Sequence, residues 1–415
     1  MPVNTNGDKK RKAVAVLFGG RSVEHEISII TGLQLIKAMD TVKYKPIPVY
    51  ISPQGKWYSG DALYDKSFYR RMPGSLGSVD EVTILPEPNI KGLTIRRPKT
   101  SGKAPYSMLS KTSESVIHVD IFLPAFHGTY GEDGCIQGLL ELADVPYTGC
   151  NVLASALGMS KYHAKKLVES HGIPVLPGVV VKRESIEADY GNHLDFLRDQ
   201  VLQHQGLEDF PLFVKPLNLG SSIGVAKVRN IEEFNSAIVL ALKYDVGAIV
   251  EPCLDDKMEL NVSVIDDGEP KASVVEIPVS SSGDELTYED KYLRGGSKKG
   301  DNTLAGMASL TRVIDPSDLP EELKNRARDY AVKAFKVLNC SGVSRIDFML
   351  DKRTNVLYFN EINTIPGSFS FYLWMNCKPP HFYTEVITTI LDRAEDTYAR
   401  KTALAREIGF KALFK

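Results

Sequence analysis

The chain opens with an unbroken apolar run, AVAVLF (13–18), which stops at a glycine pair; after the polar RSVEHE, apolar residues recur three and four apart through ISIITGLQLIKAM. PIPVYIS then restores a short apolar run. Strand, helix and strand in this order predict a βαβ unit in a parallel sheet, with the helix starting beside the glycines. A helix N-terminus there attracts anions. GGRSVE lacks the GxGxxG spacing of a dinucleotide fingerprint, so the glycines also read simply as a tight strand-to-helix turn.

Residues from about 53 to 115 mix Pro, Gly, Ser and charge with short runs such as EVTILPE, which predicts an insertion at the sheet edge with no chemistry of its own. VDIFLPAFHG is a buried strand ending in a loop, EDGCIQGLLELADVPYTG a helix and a turn, and the first domain (1–149) closes near Gly149. NVLASALGMSKYHAKKLVESHG, VLPGVVV and FPLFVKP predict helix, strand and strand in a central section, 150–250. AIVEPCL opens a third section, 251–415, with strands around LNVSVIDD and KASVVEIPV, a polar loop at 280–306, a helix at EELKNRARDYAVKAFKVLN, a hairpin, and a helical tail with a charged face.

Composition narrows the classes. A length of 415 residues implies two or three domains with clefts between them. Hydrophobic residues at 43% and charged residues at 25% are globular values that exclude disorder and coiled coil. A net charge of −2 offers no overall basic field for nucleic acid or an anionic membrane, which favours small-molecule chemistry. The five cysteines are scattered without a CxxC pair, against a zinc site or disulfide framework, and fit a reducing compartment. No apolar run reaches the roughly 20 residues that span a bilayer, and AVAVLF is too short for a signal peptide. A cytoplasmic protein is expected, with the KKRK run at Lys9 to Lys12 a solvated tail rather than a targeting signal.

Three stretches carry chemistry. In FVKPLNLGSSIGVAKV a strand delivers Lys215, and Gly220, Ser221, Ser222 and Gly224 form a loop whose backbone N–H groups can approach an anion. It reads as a flap over a polyphosphate or as a structural hairpin, and it is not a Walker A loop. In SRIDFMLDKRTNVLYFNEIN, alternation puts Arg345 and Asp347 on one strand face and Glu361 and Asn363 on one face of the returning strand. With Asp347 opposite Glu361 across a loop of about five residues, the carboxylates and amide suit Mg²⁺; Arg345 beside them suits a transferring phosphoryl group or an oxyanion. A salt-bridged hairpin face is the bland alternative. The glycine-rich 280–306 loop, with Lys291, Tyr292, Lys298 and Lys299, reads as a lid over phosphates or as disorder. Glu251 and Glu259 read from the sequence as surface acids.

Together these stretches resemble the D-alanyl-D-alanine ligases of the ATP-grasp superfamily, from Ala13 to about Asp392, through LFGGRSVEHEIS, FHGTYGEDGCIQGLLELADVPYTG, ALGMSKYHAKKL, FVKPLNLGSSIGV, YEDKYL, SRIDFMLD and FNEINTIPG. The resemblance implies an α/β ATP-grasp fold with an N-terminal Rossmann-like (preATP-grasp) domain, and ATP-dependent joining of two D-amino acids through an acyl phosphate. It implies that Lys161, Lys215 and Lys291 meet ATP phosphates beside the Ser222 loop, that Glu251 and Glu259 meet the adenosine, and that Asp347, Glu361 and Asn363 hold two Mg²⁺, with Mn²⁺ also suitable. Glu24 would anchor the first amino acid's ammonium within a network through Ser221 and Tyr292. His127 would line the substrate pocket, and Arg345 and the Gly367 N–H would hold the oxyanion. A homodimer is implied as well.

The chain departs from that pattern in places. Pro252 stands where many members carry a lysine, and Tyr372 stands where they carry a serine whose hydroxyl, with the next backbone N–H (Leu373 here), receives the second amino acid's carboxylate. Tyr372 is therefore expected to narrow the acceptor pocket, its hydroxyl still within reach of a carboxylate. Other readings are a ligase with a different acceptor, a nucleotide-binding relative without turnover, and an NAD-dependent oxidoreductase, which the missing GxGxxG disfavours.

Overall fold

The structure, a computed structural model, describes residues 11–97, 115–184, 198–220, 223–279 and 312–405. Among these residues the strands form sheets of seven, four and five strands. In the first, β1 (Lys12–Gly19), α1 (His25–Ala38) and β2 (Tyr44–Ile51) make the expected parallel crossover. β3 (Trp57–Ser59), α2 (Lys66–Arg70), β4 (Asp80–Thr83), β5 (Gly92–Arg97) and β6 (Val116–His118) make up the insertion, whose strands extend the β2 edge antiparallel. β7 (Ile121–Pro124) lies parallel to β1 on its other side, followed by α3 (Cys135–Leu142). β1 is buried on both faces, which is why it reads as an unbroken apolar run rather than an alternation.

The helix predicted over NVLASALGMSKYHAKKLVESHG is two, α4 (Val152–Met159) and α5 (Lys161–Ser170), because Ser160 between them is extended (φ −88°, ψ 105°). The break makes Lys161 the first residue of a new helix, and its N–H bonds Leu217 O at 3.1 Å. The second sheet is antiparallel, with β8 (Val179–Lys182), β9 (Leu212–Pro216), β10 (Ala226–Val228) and β11 (Gly247–Pro252) in the order β10-β9-β11-β8, and α6 (Ile231–Tyr244) packs on it. AIVEPCL, expected to open the third section, therefore supplies an inner strand of the second sheet, paired to Lys215 and its neighbours.

The third sheet is antiparallel, with order β14-β13-β12-β15-β16: β12 (Lys257–Asp266), β13 (Pro270–Pro278), β14 (Arg312–Ile314), β15 (Val343–Asp351) and β16 (Val356–Asn363). α7 (Glu321–Val337) buries Leu323, Ala327, Ala331 and Phe335 against Ile346, Phe348 and Phe359. The tail helix α8 (Tyr383–Thr402) returns to the first domain: Val386, Ile387, Ile390 and Leu391 share a core with Val14, Val16 and Leu35. Tyr44 Oη donates to Asp392 at 3.1 Å, and Lys12 Nζ lies 2.6 Å from Glu395, so the chain closes on its own beginning.

Candidate active site

The β15–β16 hairpin aligns Asp347 with Glu361 and Arg345 with Asn363, as alternation predicted. Its connecting loop is four residues, 352–355. An irregularity pairs Phe348 with Phe359 next to Asp347 with Glu361, leaving Asn360 as a bulge. The bulge lets Phe359 and Ile362 enter the core while Glu361 and Asn363 keep the polar face. Arg345 grips Asp347 with two bonds, Nε to Oδ1 and Nη2 to Oδ2, both 2.7 Å, and Asn363 Nδ2 donates to Oδ2 at 3.0 Å. This bidentate geometry keeps Arg345 charged although it is buried.

Register carries the row further. Asp347 pairs with Asn261 on β12, and Asn261 with Glu276 on β13. Glu361, Asp347, Asn261 and Glu276 thus cross four strands at one level, on one face of the sheet. Asn261 and Glu276 escaped sequence reading, although each is flanked on both sides by apolar residues (LNV and VEI), a signal that was legible.

Opposite this row, α5 presents Lys161 and Lys165 one turn apart. Lys161 Nζ donates to Leu219 O and lies 3.8 Å from Glu361 Oε2. Lys165 binds Glu251 Oε1, while Lys215 Nζ reaches Glu251 Oε2 at 2.9 Å. Glu251, 1% exposed, is no surface acid. Its carboxylate is the buried counter-ion of two lysines, so the side chain faces them. Burial pushes Glu251 up, but Lys165 and Lys215 outweigh it and bring the carboxyl down to about 2. Lys165, also buried, must share one anion with Lys215, and burial lowers its pKa. Glu259 sits at the rim, 3.3 Å from Lys257.

The first domain closes the third side. Glu24 is buried at the start of α1, and a Cβ on Gly128 would stand 2.6 Å from its Oε2, so only glycine fits that turn (φ +77°). A Cβ on Gly220 would lie 3.5 Å from the same oxygen, which brings Glu24 to the Gly/Ser loop. His127 Nε2 bonds Thr31 Oγ1 at 2.8 Å; burial first, then Arg345, lowers the imidazole to about 4, so it is neutral at pH 7. Glu132 accepts from Gly128 N (2.7 Å) and Ile365 N (3.2 Å), and burial and then Glu24 push its carboxyl up to about 8. It joins Lys161, Gly220, Glu361 and Asn363 in lining one cleft. Sequence reading passed over Glu132 because no spacing distinguishes it from a solvated acid in GTYGED.

The loop after β16 contains Gly367, then Ser368, Phe369 and Ser370 with φ of 50–53°, a left-handed run costing about 1–3 kcal/mol per residue. Ser368 Oγ to Gln34 (2.6 Å) and Ile365 N to Glu132 hold it in place. It feeds Tyr372 and Leu373 into a small core with Val274. Tyr372 Oη donates to Glu276 Oε1 at 3.3 Å. Ser221, Ser222, Lys291, Tyr292, Lys298 and Lys299, with the whole of 280–306, lie outside the described residues.

The donor set fits a hard divalent cation. Among the described residues no three His, Cys, Asp or Glu form a metal cluster. Two carboxylates at matched register with an adjacent amide are hard oxygen donors of the kind that a divalent cation supplements with water and phosphate oxygens.

A sheet bearing the buried Lys215, a helix bearing Lys161 and Lys165, and a sheet bearing carboxylates, preceded by a Rossmann-like domain, define an ATP-grasp protein. The D-ala D-ala ligase N-terminus model matches residues 13–150 and the D-ala D-ala ligase C-terminus model residues 167–392. The D-alanine–D-alanine ligase of Acetivibrio thermocellus is 35% identical over 402 residues, 94% of this chain and 97% of that one. That of Natranaerobius thermophilus is 34% identical, covering 92% and 94%. Among solved structures, the D-alanine-D-alanine ligase from Coxiella burnetii superposes with a TM-score of 0.70 at 28% identity, over 94% of this chain and 96% of that one. VanG, a D-Ala:D-Ser ligase from Enterococcus faecalis, gives 0.69 at 28%, over 94% and 100%. The chain belongs to the D-alanine–D-alanine ligase family.

Proposed function

We propose that this protein joins two molecules of D-alanine, with ATP converted to ADP and phosphate, to supply D-alanyl-D-alanine for peptidoglycan precursors. The observation that carries the reading is the convergence of Lys161 and Arg345 on the Asp347–Glu361–Asn363 face, beside the buried Glu24 and His127, with Lys215 held by Glu251 on the second sheet.

The γ-phosphoryl group passes to a carboxylate oxygen of the first D-alanine and ADP departs. The amine of the second attacks the carbonyl carbon, and the C–O bond to phosphate breaks as the amide forms. Lys161 and Lys215, with Lys291 from the lid and the Ser222 loop, offset phosphate charge. Asp347, Glu361 and Asn363 would hold Mg²⁺, as two ions with Mn²⁺ also suitable, which would supply positive charge to offset the phosphate oxygens. Glu24 receives the donor ammonium, with Ser221 and Tyr292 completing its network; neutral His127 lines the pocket without adding a charge. Arg345 and the Gly367 N–H stabilise the tetrahedral oxyanion, and Glu259 meets the adenosine. No described helix is long and apolar enough to cross a membrane; a cytoplasmic homodimer is the state the reading expects.

The test is a coupled assay of ADP release with ATP, Mg²⁺ and D-alanine. D-Alanine-dependent ADP release with one dipeptide per ADP supports the reading, and no amino-acid-dependent release from any D-amino-acid pair overturns it.

A further inference from the structure

Two of the cysteines, far apart in the sequence, meet in space. Cys150 ends the first domain two residues before α4, and Cys340 stands three residues before β15, the strand that carries Arg345 and Asp347. Both thiols are free. Cys150 is 2% exposed, and its Sγ donates to Ser341 O at 3.6 Å and lies 3.8 Å from Ser344 Oγ. The thiols of Cys150 and Cys340 hydrogen-bond each other, and Ser344 bonds both. The backbone fixes this meeting. Gly342 (φ +73°) approaches the first domain so closely that a Cβ there would stand 2.8 Å from Gly149 Cα. Asp266 N donates to Gly342 O at 2.8 Å, and Arg393 of α8 holds the Asp266 carboxylate at 2.8 Å.

Neither thiol has a part in the ligase reading. The hydrogen bond from Cys340 lowers the Cys150 thiol from its ordinary value in spite of burial, and the same bond, with burial, raises Cys340. Thiolate character therefore collects at Cys150. A small cavity lined by Thr148, Gly149, Cys150, Val343 and Ile365 gives a molecule little larger than water a place beside it. Cys135 is the contrast. It is exposed, yet desolvation and then a hydrogen bond to Asp133 push its thiol up to about 11.

We propose that Cys150 and Cys340 are an oxidation site, at which a hydroperoxide converts the facing thiols to a disulfide that staples the first domain to the root of β15. The Cys150 thiolate attacks one peroxide oxygen and the O–O bond breaks, leaving a sulfenic acid and, from hydrogen peroxide, one water. The Cys340 sulfur then attacks Cys150 Sγ, the S–O bond breaks, and a second water leaves with the remaining thiol proton. Two electrons pass from the sulfurs to the peroxide, so two thiols and one peroxide become one disulfide and two waters. The bond closes a loop of about 190 residues and so restricts the unfolded chain. In the folded chain the first domain and the third sheet already share a core through Val14, Ile265 and Val343. The staple therefore locks a junction that is packed before oxidation and leaves the active-site residues where they are.

The experiment treats the full chain with hydrogen peroxide, blocks the remaining thiols, and maps peptides without reduction. The expected product is lighter by two hydrogens and joins the Cys150 peptide to the Cys340 peptide within one chain, before Cys135 reacts; dithiothreitol reverses it. Its thermal midpoint should rise by about 5 °C. D-Alanine-dependent ADP release should stay within about twofold of the reduced protein. Cys150→Ser and Cys340→Ser should each abolish both the cross-link and the rise in midpoint. Cys150→Ala repeats the test should a serine variant misfold, and the peptide map of the wild type needs no variant. Oxidation of Cys135 first, a sulfinic acid at Cys150 without the cross-link, an unchanged or lower midpoint in the cross-linked protein, or a loss of ADP release by about tenfold on cross-linking overturns the staple. Absence of ADP release from the reduced protein overturns the ligase reading alone, because the peptide map and the midpoint still decide the staple.

Discussion

Replacing Glu251 by glutamine keeps its shape and removes its charge, and the site around it sets the consequence. One buried carboxylate stands between two buried ammonium groups, Lys165 and Lys215, so the cluster carries +1. Glu251→Gln makes it +2 and removes the carboxylate that both lysines share. Lys165→Met makes it neutral, with Glu251 and Lys215 still 2.9 Å apart. The carboxyl falls from 4.5 to about 2, and at about 1.4 kcal/mol per unit this corresponds to about 3 kcal/mol. Removing one partner of a buried ion pair costs about 3–5 kcal/mol. The two estimates agree, so Glu251→Gln should lose about 3–5 kcal/mol in urea unfolding at pH 7.5, with Lys165→Met losing clearly less. Because the folded pKa is depressed, the contribution is present above pH 4.5 and is lost as pH falls toward about 2. The stability gap between wild type and Glu251→Gln should therefore shrink from pH 4.5 downward. ATP KM should rise about tenfold in Glu251→Gln as Lys215 loses its fixed position. A loss below about 1 kcal/mol, or equal losses in the two variants, refutes the charge argument.

His127 gives the complementary pH effect. Its folded pKa is lowered from 6.5 to about 4, so the stability it contributes in the neutral form falls away as pH drops from 6.5 to about 4, a change of about 3 kcal/mol. His127→Gln should flatten the stability profile over that window, and urea midpoints across it check this. Gly128→Ala would put a methyl carbon 2.3 Å from Ser22 Oγ and 2.6 Å from Glu24 Oε2 at φ +77°. The expected outcome is a loss of about 2 kcal/mol and a higher donor KM with ATP KM little changed; an unchanged donor KM would separate Glu24 from the donor site.

The sequence by itself determined the local pieces. Unbroken apolar β1, the period of α1 and the alternation in SRIDFMLD and FNEIN fix strand, helix and the shared face of Asp347, Glu361 and Asn363, because side-chain direction follows backbone period. Motif order then carried the family. Tertiary structure decided what depends on distant partners. Glu251 became a buried counter-ion because α5, packed on the third sheet, extends Lys165 to β11, where Lys215 of β9 also reaches it. Asn261 and Glu276 joined the row through strand register, and α8 returned to the first core while still meeting the third sheet at Ile265, Val343 and Asp266. Tyr372 looked like a substrate ligand in the sequence, where only its neighbours in the chain are visible. Glu276, 96 residues away, takes its proton, and no local pattern encodes that meeting.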